Sequence, residues 1–200
     1  MTRDELAYEI ARGIGLTGVE GRYGSVSCST AGDYPSMGIS QWEGLDGRGD
    51  ALLNAIDGGD RFAGRTYSDI EAADELDALA DVLASESGQE AQNRILAEDC
   101  LAKYVPALMD VADLDDSRCF VYAGIWCPTS HNVVSRFLAN RAHRVDIRNL
   151  AALRDVFRDE YFIAADVGDE YAEGYANRAQ NTFDYVASLD LSAYGVPEYA

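Results

Sequence analysis

Between Glu20 and Trp42 the helical rhythm of the chain stops. Gly21, Gly24, Gly32, Pro35 and Gly38 punctuate short runs rich in Ser, Tyr and Val. Such punctuation breaks helices and favours turns and short strands, so this stretch predicts a small β-sheet. Everything on either side carries helical spacing. The constraint is therefore an α+β chain, mostly helix, with a small sheet set in after the first helix.

Thr2-Arg3-Asp4-Glu5 reads as a capping box, with Leu6, Ile10 and Ile14 behind it at helical spacing. Gly13, Gly15 and Gly18 are expected to wear that helix out. Leu52, Leu53 and Ile56 predict a short helix closed by Asp57-Gly58-Gly59. Ser68-Asp69-Ile70-Glu71 reads as a second capping box, followed by Ile70, Ala73, Leu76, Ala80 and Leu83 on one helix. Further helices are predicted over about 89–104, stopping before Pro106, and through the dense segment Phe120 to Trp126. Pro128 is placed as the first residue of the next helix, through Val133, Val134, Phe137 and Leu138. Leu150 to Phe157 and about Asp169 to Leu189 complete the set. Tyr171, Tyr175, Arg178, Thr182 and Val186 share one side of the last helix. No repeat, linker or low-complexity tract interrupts the chain, which predicts one domain over 1–200.

Sixteen Lys and Arg stand against 35 Asp and Glu, a net charge of −19 over 200 residues. Phosphate neutralisation needs clustered cations, so this balance argues against nucleic acid as the main partner. It also disfavours docking on anionic lipid. No run of roughly 18 apolar residues predicts membrane insertion. The start of the chain lacks the charged and apolar regions of a secretory signal, so an extracellular role implies delivery by another component. Cys28, Cys100, Cys119 and Cys127 match no zinc spacing and read as buried free thiols, with a disulfide as the alternative.

Two motifs carry chemistry: Glu20-Gly21-Arg22-Tyr23-Gly24-Ser25-Val26 and Ser36-Met37-Gly38-Ile39-Ser40-Gln41-Trp42. A carboxylate just past a helix is followed by a Gly-rich β segment able to double back over it. A glycosidase needs such a carboxyl group beside apolar or aromatic surface, where it stays protonated and donates to a leaving oxygen. Tyr23 and Trp42 offer that surface and rings on which sugars stack; the alternative for Trp42 is a core residue under the next helix. Gln41 offers hydrogen bonds to an acetamido or hydroxyl group.

These residues resemble the lysozyme-like superfamily, and within it bacterial and phage peptidoglycan hydrolase domains with a Glu-Gly-x-Tyr-x-Ser-Val segment followed by Ser-x-Gly-x-x-Gln-Trp. Phage-type lysozymes, lytic transglycosylases and chitosanases are broader relatives of the same plan. Weaker pieces follow in the same order: Leu52-Leu53-x-x-Ile56, Gly88-Gln89-x-x-Gln92 with Asp99 and Tyr104, and Tyr175-x-x-Arg178. The resemblance implies a lysozyme-like fold and hydrolysis of β-1,4 glycan strands, with no cofactor. It makes Glu20 the general acid, puts Ser36 opposite the scissile bond, and gives Gly38 a close approach to substrate, with Gln41 and Trp42 ending the sheet motif. The second carboxylate departs from the pattern: an Asp expected near Ser29 and Thr30 is missing. Asp33 is the expected water-activating base, or a hydroxyl near it, such as Thr30 or Ser36, positions the water.

Other readings remain at this point. One carboxylate suffices in lytic transglycosylases, and the strong acidity favours a cationic polymer such as chitosan. A binding or assembly domain that has lost the chemistry is the non-enzymatic alternative. Cys127 and His131, four apart, offer a thiol hydrolase pair. The aspartates around 113–116 and 166–170 fit no calcium loop and read as solvated acids. Arg48-Gly49-Asp50 reads as the turn before a helix.

Overall fold

The computed structural model describes residues 1–18, 21–44 and 47–191. In chain order the elements are α1 (Arg3–Thr17), β1 (Val26–Cys28), β2 (Pro35–Met37), β3 (Trp42–Glu43), α2 (Arg48–Asn54), α3 (Tyr67–Ala72), α4 (Leu76–Ala84), α5 (Glu86–Asp99), α6 (Val105–Met109), α7 (Ser117–Arg141), α8 (Leu150–Ala164) and α9 (Ala172–Ala187). The fold class is α+β, mostly helical with a small antiparallel sheet. Contacts divide the chain into two compact units, one of residues 1–19 with 97–200 and one of residues 20–96.

In the first unit, α1 starts as its sequence dictates. Thr2 caps Glu5 N–H, and the Glu5 side chain returns the bond to Thr2 N–H, at 3.2 and 2.7 Å. Leu6, Ile10 and Ile14 form a fully buried stripe. Gly13 does not end the helix, contrary to expectation. It is a packing position, because a Cβ there would lie 2.4 Å from Ile125 of α7. Gly124 of α7 reciprocates, its missing Cβ making room for Ile10. Two helices thus fill each other's gaps, and Gly18 supplies the left-handed cap that closes α1.

The core of this unit is aromatic. Trp126 of α7 packs on Phe157 and Tyr161 of α8, with ring centroids 4.8 and 5.0 Å apart. Arg178 of α9 lays its guanidinium 4.1 Å from the Trp126 ring and donates to Ile125 O at 3.3 Å. Three helix boundaries differ from expectation. A π turn over Cys100–Tyr104 bonds Val105 N–H to Cys100 O. Pro106 then falls in the first turn of α6, where its missing N–H is tolerated, and the helical run passes it. The Pro128 position is inside α7, and the break comes at Ser130 (φ −174°, ψ 111°). α8 continues past Phe157 to bury Tyr161.

In the second unit, the strands pair in the order β1-β2-β3, all antiparallel. Val26, Ser27 and Cys28 face Met37, Ser36 and Pro35; Ser36 and Met37 face Glu43 and Trp42. Opposed residues share a sheet face, so Met37 and Trp42 go to the core while Ser27, Ser36 and Glu43 form a polar row on the other side. Beyond the sheet, one helix expected from Ser68 to Leu83 is two. Asp74 takes a left-handed φ of 58° and separates α3 from α4. The cap of α3 is Thr66, not Ser68: Thr66 Oγ1 accepts from Asp69 N–H at 3.1 Å. Arg48-Gly49-Asp50, expected as the turn before a helix, is instead the first turn of α2, and Asp50 accepts from Gly64 N–H at 2.9 Å.

Candidate functional site

The hairpin of β1 and β2 is closed by Ser29 N–H donating to Tyr34 O at 2.9 Å, which leaves residues 30–33 as its tip. Thr30 and Asp33 are exposed on that tip. Asp33 Oδ1 accepts from Ser68 N–H at 3.0 Å and from Ser68 Oγ at 2.9 Å, tying the tip to α3. The geometry gives Asp33 a structural partner on another element.

After β2 the chain turns sharply at Gly38 (φ +69°) and Gln41 (φ +50°). A left-handed backbone at a non-glycine residue is strained and marks a place where side-chain direction matters. At Gln41 it folds the side chain back over the sheet. The amide Nε2 donates to Gly38 O at 2.9 Å, while Oε1 lies 3.2 Å from Ser36 Oγ and 3.4 Å from Ser27 Oγ, both of which can donate to it. Gly21 packs against the same group; a Cβ there would meet Gly38 O at 2.6 Å and Gln41 Nε2 at 2.9 Å. Gly21, Ser36, Gly38 and Gln41, separate in sequence, are one contact cluster.

Beneath it, fully buried Gln92 of α5 organises the backbone. Its Oε1 accepts from Ile39 N–H at 3.0 Å, and Nε2 donates to Leu83 O at 2.9 Å and Tyr23 O at 3.2 Å. The space beside Gly38 is taken by this side chain, with Gln92 Oε1 2.1 Å from where a Cβ would stand. Tyr23 is half-buried and its hydroxyl donates to Asn93 Oδ1 at 2.8 Å. Trp42 is 4 % exposed, on the apolar face, which is the core alternative rather than a stacking ring. Glu20 lies outside the described residues.

Sequence reasoning missed two groups. Glu43, next to Trp42, stands opposite Ser36 and accepts from Ser29 Oγ at 2.7 Å. Asn93 is buried beside Tyr23. The signal for Glu43 was period-two alternation past Trp42, legible only once the register with Ser36 is known.

Cys127 is no primed nucleophile. Burial pushes its thiol well up from the ordinary range, and Sγ donates to Ala123 O at 3.5 Å. His131 instead lies beside Tyr104, the two rings tilted by 33° with centroids 5.9 Å apart. Of the four cysteines, Cys100, Cys119 and Cys127 are buried free thiols as expected, and Cys28 is exposed. Among the described residues no group of three or more His, Cys, Asp or Glu is placed to hold a metal ion. Among them, too, no helix is long and apolar enough to cross a membrane. Comparison with known proteins finds no matching family model, no matching curated protein and no matching solved structure.

Proposed function

We propose that this chain is a glycoside hydrolase of lysozyme-like fold that cleaves the β-1,4 glycan strands of peptidoglycan, with Glu20 as general acid. One observation supports this reading most: Gly21, Ser36, Gly38 and Gln41, all within the two motifs that carry the resemblance, meet on one edge of the small sheet. A polar sheet face with an amide, two serine hydroxyls and a carboxylate suits a sugar chain, whose hydroxyl and acetamido groups need fixed donors and acceptors. Glu20 protonates the glycosidic oxygen as the bond to the anomeric carbon breaks. Water, positioned by the second group of the site, completes hydrolysis. With a water between two carboxyl groups, roughly 6.5–9.5 Å apart, the reaction inverts the anomeric centre. No cofactor enters. Delivery to the wall by another component completes the proposal.

The net charge of −19 supports a second reading, a chitosanase, because an acidic protein attracts a cationic polymer. The test incubates the protein and its Glu20→Gln variant with peptidoglycan and, separately, with chitosan, following reducing ends and anhydro-sugar ends. Reducing ends from peptidoglycan, lost in the variant, are the expected result. The same pattern on chitosan alone transfers the assignment to that polymer, and anhydro ends indicate a lytic transglycosylase. Equal activity of both proteins removes Glu20 from the mechanism. No release from either polymer overturns the enzyme reading in favour of a binding or assembly domain.

A further inference from the structure

We propose that Glu43, and not Asp33, is the carboxylate that activates water; this rests on the glycosidase reading above. Three features of the second unit point to it. First, Glu43 pairs with Ser36 across β2 and β3, and Ser36 pairs with Ser27, so the three side chains share the face that Gln41 folds over. Glu43 is the acid carried by the described strands of that sheet. Second, Ser29 Oγ donates to Glu43 Oε1 at 2.7 Å. That bond fixes one oxygen of the carboxylate, which is carried by a strand of the sheet rather than by the hairpin tip. Third, Asp33 is engaged elsewhere, with Oδ1 taking both donors of Ser68 at the hairpin tip.

The surroundings suit a base. Glu43 is half-buried, oriented by one hydroxyl, and flanked by neutral Ser and Gln side chains. A positioned carboxylate of this kind orients water by hydrogen bonding and takes its proton. In the step, the water oxygen bonds to the anomeric carbon while one water proton passes to Glu43. The glycosidic carbon–oxygen bond breaks, and the leaving oxygen takes the proton of Glu20. The products are a new reducing end and a free hydroxyl. Glu43 is left protonated and Glu20 ionised, and solvent returns the proton from one to the other.

The experiment compares wild type, Glu43→Gln and Asp33→Asn on whichever polymer the wild type cleaves, with thermal melting of each. Glu43→Gln preserves shape and still accepts from Ser29. It is expected to lower turnover by roughly 10²–10⁴-fold with an unchanged melting transition, while Asp33→Asn stays within a few-fold of wild type. Glu43→Ala with sodium azide is expected to form a glycosyl azide, detected by mass, because the anion replaces the activated water. An active wild type with a fully active Glu43→Gln overturns this assignment and leaves the glycosidase reading standing. So does a loss of activity in Asp33→Asn alone. Loss in Glu43→Gln with a collapsed melting transition, or with no azide product from Glu43→Ala, makes Glu43 structural and also overturns it. A wild type that cleaves neither polymer overturns the glycosidase reading and this one together.

Discussion

Asp33 and Ser68 form a two-point clamp: one carboxylate oxygen accepts both the backbone N–H and the hydroxyl of a residue 35 positions further on. The contact satisfies an N–H in the first turn of α3 that the helix itself leaves unpaired, which is the work of an N-cap done from outside the helix. Asp33→Ala is therefore expected to lower stability by about 1 kcal/mol. Ser68→Ala is expected to add little on top of it, because the partner has gone. Denaturant melts of the two single variants and the double variant read this directly. Additive losses would show that the two residues act independently.

Gln92 ties three separate backbone segments of the second unit together. It satisfies backbone groups of Ile39, Leu83 and Tyr23 from a fully buried position. Gln92→Leu strands those groups without water and is expected to cost roughly 3 kcal/mol or more. Gln92→Glu tests the donor role alone. An ionised carboxylate there cannot donate to Leu83 O or Tyr23 O, so the folded state favours the protonated form and the new acid's folded pKa is raised. Relative to wild type, stability of this variant is then expected to rise as pH falls through that raised value. Chemical denaturation across a pH series measures it.

Gly38 combines a left-handed φ of +69° with the close approach of Gln92. Gly38→Ala meets both obstacles at once and is expected to destabilise by about 2–4 kcal/mol. The same substitution at Gly58 (φ +74°), where the added Cβ meets nothing within 4 Å, isolates the backbone contribution. The difference between the two melts gives the contribution of the Gln92 contact.

Thiol chemistry separates the cysteines. Cys100, Cys119 and Cys127 are buried, and desolvation raises each thiol above its ordinary range, with Cys127 adding to the rise at Cys100. Cys28 is exposed on β1. A chromogenic disulfide reagent at pH near 8 is expected to label Cys28 alone in the folded protein and the others only on unfolding. Fast labelling of more than one thiol in the native state would contradict this packing.

Arg178 is held by the Trp126 ring and Ile125 O. Arg178→Met keeps length and loses the cation. It is expected to cost roughly 1–2 kcal/mol and to shift Trp emission, since the charge over the indole is gone. An unchanged emission spectrum would place the guanidinium elsewhere in solution.

Local signals in the sequence served well where local physics decides. Thr2 and Glu5 specify the start of α1, and the Gly- and Pro-broken run of 20–42 specifies the sheet, because caps and turns depend on neighbours along the chain. Elements governed by distant partners were less legible. Gly13 reads as a breaker until Ile125 is seen filling its place, and the bond from Ser68 to Asp33, across 35 positions, has no local pattern to announce it. Ser68 looks like a cap because Ser-x-x-Glu is a local pattern, yet Thr66, two residues upstream, makes the bond. Trp42 has two sequence readings, and the ladder from Met37 decides for the core. Glu43 required the register itself, which no local pattern encodes.

The interlock of Gly13 with Ile125 and of Gly124 with Ile10 has a consequence for synthesis. On the ribosome α1 emerges early, but the helix that fills its notch is translated only after all of residues 20–96. Until then Leu6, Ile10 and Ile14 have no permanent cover. The interposed unit has the partners for its own contacts within residues 20–96, so the chain order lets the middle close before the beginning does.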